Sequence, residues 1–211
     1  MTLSEAKAEI LAIVKDHSDY VLDNLTNFVN EALAAIANET EIPDLKLLTS
    51  VSTVEDQAWV NMPTGFDGRL LYAGNSNGQI TIHPEGMRGL ILNDPGLDRS
   101  GSVDMVALEG SILYYQGIPA ETETLTILIY QKPTLLTSDD DVIPTYIPMH
   151  LQRGLLSHRA AAVVYDKIED EFEGTKPNVN AQMALYEGWK IKFQQHLSRR
   201  RRSYAKSVWS A

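Results

Sequence analysis

The chain contains no cysteine. That excludes a disulfide framework, a thiolate metal site and a cysteine nucleophile, and it fits a protein made in a reducing cytoplasm. Long apolar runs are missing too. Nothing approaches the ~18 uninterrupted apolar residues that would span a bilayer. The opening Met1-Thr2-Leu3-Ser4-Glu5 has no basic segment ahead of an apolar stretch, so no secretory signal is expected and the protein reads as soluble, with no membrane partner. Catalytic signatures are equally scarce. There is no Gly-x-Ser-x-Gly elbow and no phosphate-binding Gly-x4-Gly-Lys-Ser/Thr. The 5 histidines form no His-x-x-x-His or His-Glu-x-x-His pair, and His150 and His158, on one expected helix, would stand about 12 Å apart, too far to share a metal.

The last absence is of one sign of charge. No Asp or Glu follows Glu187, while Lys190, Lys192, Arg199, Arg200, Arg201, Arg202 and Lys206 do. Of 28 acidic and 18 basic side chains, all 28 acids and only 11 bases precede residue 190, a formal −17 against +7. An acidic body thus carries a basic, aromatic end meant for another surface. That end has three readings: contact with nucleic-acid phosphates, docking into an acidic groove of a protein through bidentate arginines, or a solvated tail. Tyr204 and Trp209 favour protein docking, because Trp, Tyr and Arg dominate interface hot spots. Arg199, Arg200, Arg201, Arg202, Tyr204 and Trp209 are therefore the candidate partner-binding residues. Adjacent like charges disfavour helix, so residues 199–211 are expected to fray in the isolated chain and to order on docking.

Along the chain, Thr2-x-x-Glu5 has capping-box spacing, and Ile10, Leu11 and Val14 follow at helical intervals, predicting a helix over 4–15. Val21, Leu25, Phe28, Val29, Ala32 and Ile36 predict a second over 20–38. From 45 to 132 the period drops to about 2, with strands expected at 46–51, 58–60, 69–72, 79–82, 89–92, 111–115 and 124–130, separated by Gly, Pro and Asn turns. Asn77-Gly78 signals a hairpin. Helix returns over 148–172, with Leu151, Leu155, Ala162, Ile168 and Phe172 on one face and Pro148 near its first turn. After a break at Gly174–Asn178, with Asn178 as cap, Val179, Met183, Tyr186, Phe193 and Leu197 mark a last helix. The expected fold is α+β: N-terminal helices (1–43), an inserted small antiparallel β domain, sandwich or barrel (44–138), C-terminal helices completing a bundle (139–198), and the basic tail (199–211).

The other conspicuous segments read as ordinary. Gly96–Gly101 lacks the lysine and following helix of a phosphate cradle and is expected to be a mobile loop. Asp139-Asp140-Asp141 is expected to be a solvated connector, and Glu169-Asp170-Glu171 with Glu173 a charged helix end. No catalytic, cofactor or metal residue is expected. A hydrolase whose site is assembled from residues remote in sequence is the catalytic alternative.

Several segments, taken in order, resemble the head-to-tail adaptor (connector) proteins of tailed bacteriophages. They are Asn27-Phe28-Val29-Asn30-Glu31-Ala32-Leu33; Trp59-Val60-Asn61-Met62-Pro63 with Phe66 and Arg69-Leu70-Leu71-Tyr72; Leu125 to Thr137 with its Tyr130-x-x-Pro133-x-x-Leu136-Thr137 ending; Ile143-Pro144 to Met149-His150; and Arg159-Ala160-Ala161-Ala162 with Glu169-Asp170. Met62-Pro63 stands where the family often has Leu-Pro. The resemblance implies a structural virion protein without enzymatic activity, assembled in the bacterial host cytoplasm. It further implies a homo-oligomeric, dodecameric ring under the portal protein, a downstream tail or nozzle protein below, and passage of the genome DNA without specific binding. It would let the C-terminal arginines and Trp209 dock on the portal. The rival function is a nucleic-acid-binding packaging accessory protein acting through the arginine-rich tail.

Overall fold

The structure is a computed structural model that describes residues 1–169 and 176–208, with side chains as far as Arg200. Its order is α1 (Leu3–Val14), α2 (Asp19–Glu39), β1 (Lys46–Ser52), β2 (Trp59–Asn61), β3 (Phe66–Asn75), β4 (Gly78–Gln79), β5 (Thr81–Ile82), α3 (Met87–Asn93), β6 (Met105–Glu109), β7 (Ile112–Gln116), β8 (Thr124–Gln131), α4 (Met149–Ile168) and α5 (Pro177–Val208). Two compact units result: Met1–Ile42 with Pro133–Ala211, and Pro43–Lys132. The class is α+β, as the change of period announces. No helix among the described residues is long and apolar enough to cross a membrane.

In the helical unit the capping box forms: Glu5 N donates to Thr2 Oγ1 (3.2 Å) and Thr2 N to Glu5 Oε2 (2.9 Å). The expected stripe of α2, Val21 to Ile36, is buried throughout. The Asp139–Asp141 segment is exposed at Asp139 and Asp140, as expected of a solvated connector, and has a further role. The Asp141 and Asp139 carbonyls accept the first amides of α1, from Leu3 (2.8 Å) and Ser4 (3.1 Å). Lys7 Nζ meets Asp139 Oδ1 at 2.6 Å, and Asp141 Oδ2 accepts from the amides of Thr137 (2.6 Å) and Ser138 (2.8 Å). These backbone donors hold the Asp141 carboxyl below the usual aspartate range. Orphan amides at a helix start need acceptors, and this loop supplies them. Asn30 is a second tie: its side chain donates to Leu136 O and accepts from Leu136 N, both at 2.9 Å.

The β unit is a sandwich of two four-stranded sheets, ordered β1-β8-β3-β4 and β2-β7-β6-β5. Val51, Leu125, Ile127 and Ile129 from the first sheet meet Val106, Leu113 and Tyr115 from the second in a dry core. The hairpin falls one residue earlier than Asn77-Gly78: Asn75 pairs with Gly78, and Asn75 Oδ1 turns the loop by accepting from Asn77 N (3.0 Å). Residues 89–92, expected as a strand, lie in α3, and β6 was not foreseen. Gly89 explains the first: its missing Cβ would fall 1.9 Å from the His83 ring, so only glycine lets the segment coil against that imidazole. The Gly96–Gly101 loop, expected to be mobile, carries three ties: Ile118 N to Arg99 O (2.8 Å), Gly101 N to Ile118 O (2.9 Å) and Arg99 N to Asp94 Oδ2 (3.2 Å).

Two helix boundaries also moved. α4 stops at Ile168, short of the expected 172, and Phe172 lies outside the described residues. Asn178 does not cap α5; Pro177 takes the first position, where a missing N–H costs nothing. Glu169, the C-cap residue of α4, caps instead: its carboxylate accepts from Asn178 N (3.4 Å), Asn178 Nδ2 (3.1 Å) and Val179 N (3.4 Å). A carboxylate at a helix N-terminus also complements the macrodipole.

Candidate functional site: a basic helix end

The arginine run rides on α5, so the way α5 is held decides where the run begins. Gly154 of α4 provides the closest approach, because a Cβ there would lie 2.2 Å from Trp189 Cε2. The Trp189 indole therefore rests on the α4 backbone, with Lys192 Nζ 4.0 Å from its ring centroid. Tyr186, Phe193 and Leu197 are buried at the expected spacing.

A polar node locks the same contact. The Tyr186 hydroxyl donates to Glu39 Oε2 at 2.9 Å, and Lys190 Nζ bridges Glu39 (3.1 Å) and Glu187 (2.5 Å). Arg159 lies 3.6 Å from Glu39 Oε1. Burial first, then the Glu39 carboxylate, pushes the Tyr186 phenol far above the ordinary tyrosine range. At Lys190 desolvation works against the ammonium, but the hydrogen bonds it donates to Glu187 and Glu39 outweigh it and its pKa is raised. Only the tertiary fold brings Glu39, Arg159, Tyr186 and Lys190 together. The one sequence signal was a tyrosine inside an apolar stripe, since a buried phenol needs an acceptor.

Leu197 is the last buried side chain of α5 among the described residues. Beyond it Ser198 Oγ donates back to Gln194 O (2.9 Å), Arg199 is exposed and Arg200 half-buried. Arg201, Arg202 and Tyr204 fall within the helix, which runs to Val208; their side chains, and Trp209 altogether, lie outside the described residues. Over 199–208 the backbone is helical where fraying was expected, and 209–211 lie outside the described residues. Each like-charge i,i+4 pair costs only a few tenths of a kcal/mol, arginine is a good helix former, and cations at a helix C-terminus are favoured by the dipole. Consecutive helical positions lie about 100° apart, so four of them encircle the axis in place of marking one stripe.

Elsewhere several titratable groups are engaged in ordinary contacts. His158 Nδ1 lies 2.8 Å from Gln182 Oε1, His83 Nδ1 accepts from Glu85 N at 3.1 Å, and the His150 and His196 rings meet edge-on with centroids 6.2 Å apart. A cleft of about 340 Å³ beside Trp189 is lined by Glu9, His150, Arg153, Ser157 and His158, and Arg153 is already paired with Glu9 at 2.6 Å. Among the described residues no group of three or more His, Cys, Asp or Glu is placed to hold a metal ion. Across the whole molecule, the chain matches the family described as SU10 adaptor protein over residues 1–210. No curated protein matches it.

Proposed function

The chain belongs to the SU10 adaptor protein family, which joins phage heads to tails, and from that membership we propose that copies of it close a dodecameric ring beneath the portal and dock on the portal through the basic end of α5. It is a structural virion component, and on our reading it acts without catalysis. The observation that carries the docking role is the charge split. A body of formal −17 ends in a segment of +7, carried on a helix whose last buried side chain among the described residues is Leu197.

Arginines spread around a helix axis suit a socket that surrounds them, with carboxylates or carbonyls on several sides. The acidic body suits the passage of DNA, since a wall of like charge to the phosphates lowers the chance of adhesion. Residues 199–211 then act as a docking element of their own, and a tail protein receives the opposite side of the ring.

Replacing Arg199, Arg200, Arg201 and Arg202 together by glutamate tests this. Association with purified portal, read by co-sedimentation, is expected to fall by roughly two orders of magnitude or more, because even two charge-assisted contacts at about 1.5 kcal/mol each amount to that. The melting temperature is expected to change little, since Arg199 is exposed and Arg200 only half-buried. Undiminished association would remove the docking role. Salt-dependent DNA binding lost with the same change would favour the packaging-accessory reading.

A further inference from the structure

The β unit bears two apolar rows that its own fold leaves uncovered. In the first sheet Leu48 stands opposite Leu128, and Leu128 opposite Tyr72. Ile127 and Ile129 flank Leu128 in β8 and enter the core, so alternation places the row on the outer face. The register shift between Leu70 and Tyr72 inserts one further residue, Leu71; it is 43% exposed and Leu48 65%. In the second sheet Trp59 stands opposite Tyr114, and Tyr114 opposite Ala107. Leu113 and Tyr115 face the core, so this row is outward too. α3 packs on β6 and β7, and Ala107 is fully buried while Trp59 of β2 and Leu92 of α3 stay exposed.

Because the two sheets share the core between them, their outer faces point in opposite directions. The Pro43–Lys132 unit carries 11 acidic and 5 basic side chains, yet neither row contains a charge. Loss of charge with enrichment in aromatics marks the centre of a protein interface. The flanks are complementary: Lys46, in register with Tyr130, shares the face of Leu48, and Glu109, in register with Ile112, shares that of Trp59.

We infer that the Leu48–Leu128–Tyr72 face of one copy packs against the Trp59–Tyr114 face, beside α3, of the next. One sandwich cannot bring its own opposite faces together. Two different patches on opposite faces make a head-to-tail contact, which closes into a ring when the rotation allows. The partner is thus a second copy of this chain. The inference rests on the ring of the proposed function and adds which surfaces meet.

The cysteine-free chain makes the test direct. Full-length chain carrying Leu48→Cys and Trp59→Cys is assembled onto heads and treated with a short bis-maleimide. A ladder of covalent multimers is expected from the double variant and only monomers from either single one, because a head-to-tail contact never sets Leu48 against Leu48. A strong dimer from Leu48→Cys alone would overturn the inference in favour of a two-fold contact. A lysine-reactive cross-linker on the unaltered chain separates the two readings. Multimers with it but none from the cysteine pair overturn this assignment of faces and leave the ring standing; no multimers with either overturn both. Independently, Leu48→Asp and Trp59→Asp should each raise the concentration needed for association roughly tenfold or more. Mixed together they should give heterodimers that grow no further. Unchanged association in both, with native circular dichroism, would sink the inference.

Discussion

In the unit formed by Met1–Ile42 and Pro133–Ala211, residues 106 and 151 positions apart in sequence are joined by directed polar bonds, the Asn30 side chain to the Leu136 backbone and Lys190 to Glu39. The Pro43–Lys132 unit folds from one continuous stretch around a core that is almost wholly apolar. Apolar helical stripes are non-directional and tolerate sliding by a turn. Where chain ends must find each other across an inserted unit, a few hydrogen bonds of fixed geometry set the register. In the sandwich the period of 2 already does so, because a slip of one residue would expose every core side chain.

The largest expected effect separates the two modes of construction. Phe193→Ala should cost about 3–5 kcal/mol and Ile127→Ala about 2–5 kcal/mol, each read by denaturant titration. Trp189 sits in the helical unit and Trp59 in the sandwich, so with Trp209 and the other of these two replaced by phenylalanine the fluorescence reports one unit at a time. Phe193→Ala should move the Trp189 transition, and Ile127→Ala the Trp59 transition. Equal shifts of both probes by either variant would abolish the distinction.

Gly154→Ala sharpens the account of how α5 is seated. The added methyl meets the Trp189 indole at 2.2 Å, and overpacking of this kind costs about 1–3 kcal/mol. The expected signs are a lower melting temperature and a shifted Trp189 emission. A variant as stable as the parent would mean that the indole does not rest on α4.

The smallest effect concerns the polar node. Folding raises the Tyr186 pKa, so its contribution is complete below the ordinary tyrosine value of about 10. It is lost progressively as pH climbs past that value, because the unfolded phenol ionises first. Tyr186→Phe gives up one hydrogen bond, about 1 kcal/mol near neutral pH, but should lose less stability than the parent between pH 9 and about 11. Parallel alkaline profiles for the two chains would contradict a buried Tyr186–Glu39 bond.

The capping box at Thr2–Glu5, the stripe of α2 and the alternation of β8 were all legible, since each is a local pattern whose partner atoms lie within a turn or on the next residue. α3 was not: Gly89-Leu90-Ile91-Leu92 is a run too short for periodicity to tell helix from strand, and the His83 ring against Gly89 decided it. Glu169 looked like one more acid at a helix end, and its role as the cap of α5 appears only once α4 stops at Ile168. The candidate site was visible as charge, in Arg199 to Arg202, while the seating of α5 through Gly154 and Glu39 was not.

The order of amino acids by itself determined the α+β class, the change of period at the edges of the inserted segment and the separation of an acidic body from a basic end, because composition and spacing need no knowledge of distant neighbours. Only the tertiary structure decided that Glu39 faces Tyr186, that Gly154 admits Trp189 and that two uncharged rows lie on opposite faces of one sandwich. Those facts depend on which surfaces close packing brings within a few ångströms, and close packing is a property of the whole chain at once.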